Sequence, residues 1–197
     1  MLINELSRNA PFGLSSTDSS LMGERTRFQS ILARHLGACG DERKKFRAVL
    51  VEYLQYSPQS RTLINDLIMD CVSLKKPDRS DVAIDVLSQL DRAIYDYAYD
   101  FFVQDVSNWS HMSMGRAYEP NDDYWYILLR SVAQSGVPDE IKLELVRGCR
   151  TAASRGVLEG VVEALGDIDS HASRACLLEF TTYSDPFIAD LAKDILE

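Results

Sequence analysis

Glu159 and Glu163 stand four residues apart, and so do Asp190 and Asp194. On a helix that spacing places both members of a pair on one face, where like charges repel unless a cation or a basic partner compensates them. Arg155 and Lys193 are the nearby cations suited to do so in part. Such a face suits the capture of ammonium and guanidinium groups. Acid–base catalysis would need two carboxyl groups brought together in space, and the spacing singles out no such pair.

A second group is aromatic. Tyr95, Tyr97, Tyr99, Phe101, Phe102, Trp109, Tyr118, Tyr124, Trp125 and Tyr126 fall within 32 residues. Tyr95 and Tyr99 share a helical face that differs from that of Tyr97 and Phe101, so one seam does not bury them all. Tyr95, Tyr99, Trp109 and Trp125 are therefore candidates for contact with a protein partner, since amphipathic rings give large contact area at low entropy cost. The competing reading places them in the core, where the N-terminal helices meet the C-terminal ones.

Other chemistry finds little footing. His35, His111 and His171 lack metal-ligand spacing, and there is no His-Glu-x-x-His, Gly-rich phosphate loop or Gly-x-Ser-x-Gly elbow. His111, Met112 and Met114 could offer imidazole and thioether to a soft metal, although methionines more often pack than ligate. Cys39, Cys71, Cys149 and Cys176 form no Cys-x-x-Cys pair, which points to reduced thiols rather than a disulfide framework. No catalytic residue, metal or cofactor is assigned.

The elements that must position these residues are helices. The 197 residues, 46% apolar and 26% charged, suit one folded domain. The beginning of the sequence has no secretory pattern and no run reaches the length of a membrane span, which places the chain in the cytoplasm. Residues 1–76 carry 11 Lys/Arg against 8 Asp/Glu, or +3, whereas residues 77–197 carry 10 against 22, or −12. A field of that sign repels nucleic acid and favours a basic partner.

Residues 1–20 read as a flexible segment and residues 21–197 as a single all-α domain. Within it, residues 21–106 form N-terminal helices. One ends near Gly37, one before Pro58 and one before Pro77, after which Ser80 is a candidate N-cap. From Ala83 the seam Leu87, Leu90, Ile94, Tyr97, Phe101 predicts the longest helix. Residues 107–123, with the acidic run 119–123, read as the main interior loop. Five helices follow in residues 122–197, with Gly166 ending the third and Asp185-Pro186 capping the last.

A shift of 31 residues superposes Ala133 on Ala164, Leu145 on Cys176, Val146 on Leu177, Cys149 on Phe180, Val157 on Ile188 and Leu165 on Leu196. Glu159 falls on Asp190 and Glu163 on Asp194. Ala164-Leu165-Gly166-Asp167, then Leu177-Leu178-Glu179-Phe180, then Asp185-Pro186-Phe187-Ile188 resembles the order of HEAT repeats, although Ser154-Arg155 stands where an earlier Asp-Pro would be. The resemblance implies a short right-handed α-solenoid of HEAT-like helical pairs with the N-terminal helices packed on it. It also implies a concave surface of inner helices that grips a partner, on which Glu159, Glu163, Asp190 and Asp194 would lie side by side.

The function expected is non-catalytic binding of a basic protein, with no nucleic acid or membrane. Its most concrete form resembles the small acidic bacterial immunity proteins that neutralise cationic nuclease toxins. The alternatives are an enzyme on a HEAT-like scaffold, as in bilin lyases and alkylpurine glycosylases, and a structural adaptor in a larger assembly.

Overall fold

The computed structural model describes residues 18–73, 77–109, 121–151 and 154–197, and among them every regular element is helical. The expectations placed on residues 1–17 and on the His111 to Met114 segment lie outside the described residues. In chain order the helices are α1 (Asp18–Gly37), α2 (Gly40–Tyr56), α3 (Ser60–Ser73), α4 (Pro77–Leu87), α5 (Arg92–Trp109), α6 (Asn121–Ala133), α7 (Asp139–Cys149), α8 (Arg155–Ile168), α9 (His171–Phe180) and α10 (Pro186–Leu196). None is long and apolar enough to cross a membrane. The chain divides into two compact units at Asp66 and Leu67, inside α3.

In the first unit α1 packs on α2 through Phe28, Leu32, Leu50 and Leu54, all buried. The Phe28 and Tyr53 rings meet at 6.1 Å. His35 is fully buried, with Nδ1 3.1 Å from the Arg43 carbonyl, the structural role its place on the Ile31 face suggests. Arg25 grips Asp66 through two hydrogen bonds of 2.6 and 2.7 Å.

The second unit is organised around α8. A helix with apolar residues on most of its circumference must be enclosed, and Val157, Leu158, Val161, Val162, Ala164, Leu165 and Ile168 are all buried. Its neighbours are α6, α7, α9 and α10, with α6 the most extensive. Small residues allow that closeness. A methyl group added at Gly160 would lie 3.0 Å from the Tyr126 Cα, and one at Gly156 would lie 2.4 Å from the Asp122 Cβ. Both members of each 31-residue pair are buried except in the last, where Leu165 is buried and Leu196 only half-buried. The N-caps also correspond. Ser154 accepts from the Val157 N–H and Asp185 from the Phe187 N–H, so a serine performs at α8 what Asp-Pro performs at α10.

Several boundaries differ from the periodicity. The seam from Leu87 to Phe101 does not belong to one helix. Ser88–Leu90 form a 3-10 turn and Asp91 adopts φ 47°, breaking the chain between α4 and α5. Asp91 is held there because its carboxylate accepts the Gly136 N–H at 2.8 Å, a contact that no local pattern announces. Among the described residues the longest helix is instead α1, with 20 residues. Ser80 lies inside α4, whose first residue is Pro77, a residue well suited to that position. Gly166 does not end α8. It sits where a methyl group would lie 2.7 Å from Ile195 Cγ2, so its smallness serves packing against α10, and the helix ends at Asp169 in the left-handed conformation.

Candidate functional site

The expected loop at 107–123 is helical at both ends. α5 runs to Trp109, and Asn121, Asp122 and Asp123 form the first turn of α6. Acidic residues in a first turn complement the exposed amides and the helix dipole, so the same residues that read as a solvated acidic run serve as a helix start. The acidic run 119–123, read from the sequence as part of a loop, contains a buried residue, since Asp122 is 3% exposed. Ser154, at the N-cap of α8, donates its hydroxyl to the Asp122 carboxylate, and Gly156 leaves room for that carboxylate at the N-terminus of α8.

Beside Asp122 opens a cleft of about 340 Å³, lined by Ser80 and Asp81 of α4, Asp122, Asp123 and Tyr126 of α6, and Gly156 and Glu159 of α8. Among the described residues, four carboxylates face this space and no cation lines it. Among the described residues, Asp81, Asp123 and Glu159 make no ion pair or hydrogen bond through their own side chains. Burial, then the proximity of Glu163, holds the Glu159 carboxyl above the usual glutamate range; Arg155 opposes this, and Asp123 and Asp122 add to it.

The neighbouring cations are committed elsewhere. Arg130 of α6 forms a fork with Asp167 of α8 at 2.7 and 3.0 Å and donates to the Tyr126 hydroxyl at 3.0 Å. Glu163 reaches the same guanidinium at 3.7 Å, and Gln134 adds a bond to Asp167 at 3.0 Å. Arg155 turns to Asp185 at 3.4 Å and lies 4.3 Å over the Phe187 ring. The cleft is thus a negatively charged recess where α4, α6 and α8 meet, a field that favours cationic over anionic groups.

The structure divides the residues expected to form the binding face. Glu159 and Glu163 are half-buried and face α6, Glu159 in the cleft and Glu163 at its edge against Arg130. Asp190 and Asp194 are exposed on α10 and do not line the cleft, and Asp190 pairs with Lys193 at 2.8 Å. Among the aromatic residues, Trp125 is fully buried, 5.2 Å from the Phe101 ring, and so is corrected from a contact residue to a core residue. Tyr95 is 6% exposed, its ring stacked 6.0 Å from Tyr99 and 4.9 Å beneath the Arg92 guanidinium. Tyr99 remains 44% exposed. Trp109 closes α5, and its side chain lies outside the described residues. Tyr97 and Tyr124 share a buried hydroxyl contact of 2.6 Å, and burial pushes the Tyr124 phenol up.

No group of three or more His, Cys, Asp or Glu among the described residues is placed to hold a metal ion. Cys149 is buried, which pushes its thiol up, away from the thiolate form needed for nucleophilic chemistry. Comparison of the chain with family models, with curated proteins and with solved structures gives no match in any of the three.

The residues that the sequence reading missed are Asp81, Asp122, Tyr126, Arg130, Ser154 and Asp167. Part of the signal was present. Ser154 immediately precedes an apolar-periodic stretch, and Gly156, Gly160 and Ala164 recur every four residues, the spacing that lets two helices approach closely. The Arg130 to Asp167 clamp spans 37 residues and has no local signature.

Proposed function

We propose that this chain is a non-catalytic protein-binding module, built on HEAT-like helical pairs, that works in the cytoplasm and takes a basic protein partner on its acidic face. In its most concrete form it is an immunity protein that neutralises a cationic toxin. The observation that carries this reading is the cleft between α4, α6 and α8, whose carboxylates Asp81, Asp123 and Glu159 form no ion pair among the described residues. The −12 balance of residues 77–197 extends the same field around it. The repeat reading draws on the burial of equivalent apolar residues at a 31-residue spacing.

The centre of the face moves accordingly from all four repeat-matched carboxylates to Glu159 and its α4 and α6 neighbours, with Tyr99 an accessible ring elsewhere in the same unit. A cationic side chain in the cleft would meet several charges in a partly desolvated recess, where Coulomb attraction is stronger than at the open surface.

The test is affinity isolation of the partner from the source cell, followed by titration of that purified partner against the parent and two variants. Asp123→Lys with Glu159→Lys should weaken binding, mainly by slowing association, and should reduce its salt dependence. Asp190→Lys with Asp194→Lys should do much less. Unchanged affinity and salt dependence in the first variant would remove the cleft from recognition.

A further inference from the structure

We propose that the cleft between α4, α6 and α8 is a proton-responsive switch: Glu159 takes up a proton as the medium acidifies, which relieves the repulsion inside the cleft and weakens its hold on a cationic partner. The second half of this statement rests on the binding function proposed above; the first does not.

Glu159 meets charge from every element that borders the cleft. On its own helix there are Glu163 and Arg155, from α6 Asp122, Asp123 and the Tyr126 phenol, and from α4 Asp81. Asp185, at the start of α10, acts through Arg155, and no charged group of α7 or α9 is among the lining residues. Three of the other acids have an outlet. Asp122 receives the Ser154 hydroxyl, Glu163 reaches Arg130, and Asp81 is exposed to solvent. Arg130 is already forked by Asp167, and Arg155 is drawn to Asp185 and the Phe187 ring, so the opposition of Arg155 falls short of the combined effect of burial and Glu163 on Glu159. Glu159 and Asp123 are the half-buried lining carboxyls left with no hydrogen-bond donor among the described residues, and of the two Glu159 also has Glu163 one turn along its own helix, with Asp122 and Asp123 across the cleft. Protonation is the least costly way to remove its charge from a site that solvates it poorly.

The direction of the effect follows from linkage. Burial and Glu163 raise the carboxyl above its value in the unfolded chain, so between the two values the folded protein binds more protons. The destabilising contribution is fully present above the raised value, shrinks as pH falls through it, and is gone below the ordinary value. Acidification through that window therefore stabilises the second unit. A cation in the cleft favours the ionised form, so by the same linkage the proton and the partner compete.

Two measurements on the full chain test this. Side-chain carbon NMR of the glutamates between pH 8 and 4 should show Glu159 titrating above the usual glutamate range. Thermal melts over the same range should show the parent gaining stability as pH falls through that point. Glu159→Gln should melt higher than the parent at neutral pH and lack the gain. Titration of Glu159 in the ordinary range, or the same gain in Glu159→Gln, overturns the switch. If Glu159→Gln does not fold, the titration of the parent still decides. The probe for the second half is a fluorescent hexalysine peptide. Its affinity for the parent should fall with acidification by up to about tenfold per pH unit, the limit for one linked proton, and stay flat for Glu159→Gln across that window. A peptide that binds at no pH overturns the acidic-face reading and leaves the titration result standing. A peptide whose binding ignores pH in both proteins overturns the coupling.

Discussion

At the scale of single residues, the second unit shows how one cation can be shared among several acids. Arg130 satisfies Asp167 with both arms of its fork, holds the Tyr126 hydroxyl and lies within reach of Glu163. Its guanidinium is held further in the charged form by the Asp167 bond, and only about a fifth of either side chain is exposed. Removing one partner of a largely desolvated pair costs more than the pair contributes, because the other charge stays behind. Asp167→Ala should therefore lower unfolding free energy by about 2 to 4 kcal/mol in a urea titration, although Glu163 remains to meet part of the orphaned charge. A loss within experimental error would mean that the fork contributes little to the α6 and α8 contact. The exposed pair between Lys193 and Asp190 is a different case, because both groups keep most of their hydration.

At the scale of elements, glycine has two distinct uses in these helices. Gly156 and Gly160 lie where α8 meets α6, and Gly156 has no room for a methyl group beside Asp122. Gly156→Ala should cost about 1 to 3 kcal/mol through overpacking despite the better helix propensity of alanine. Gly23, in α1, has nothing within 4 Å, so Gly23→Ala should be neutral or stabilise by up to about 1 kcal/mol. Equal effects of the two changes in thermal melts would contradict the close approach. The repeat-equivalent leucines should also separate. Leu165→Ala removes a fully buried side chain and should cost about 2 to 5 kcal/mol, whereas Leu196→Ala, at a half-buried position, should cost clearly less. Equal costs would mean that the end of α10 is more enclosed than its exposure indicates.

At the scale of the whole molecule, charge is the property on which the proposed function rests. The acidic balance is confined to residues 77–197, and four of its carboxylates line the cleft where α4, α6 and α8 meet. This explains why reversing Asp123 and Glu159 should affect a cationic partner more than reversing Asp190 and Asp194, although both changes alter net charge equally. Charges in a recess with low-dielectric walls focus the field, while charges on an open helix are screened by salt. The test is the salt dependence of association compared between the two double variants; equal losses would mean that net charge alone, and not the cleft, attracts the partner.

The all-helical character was legible in the sequence, and so were the ends of α1 to α3, the Asp185 cap and the 31-residue recurrence of buried positions. All of these follow from apolar period, capping chemistry and helix breakers, which act over a few residues. The acidic pairs were legible as well, but their fates were not. Glu159 and Glu163 match Asp190 and Asp194 in spacing and charge, yet α6 borders the first pair with Asp122, Asp123, Tyr126 and Arg130 while the second faces solvent. The break at Asp91, the burial of Trp125 and of Asp122, and the packing role of Gly166 were likewise decided in three dimensions. Each depends on a residue distant in sequence: Gly136 for Asp91, Phe101 for Trp125, Ser154 for Asp122 and Ile195 for Gly166. Local pattern fixes which face of a helix is apolar, whereas the neighbour that covers that face determines whether a charge upon it is solvated, paired or confined with its own kind.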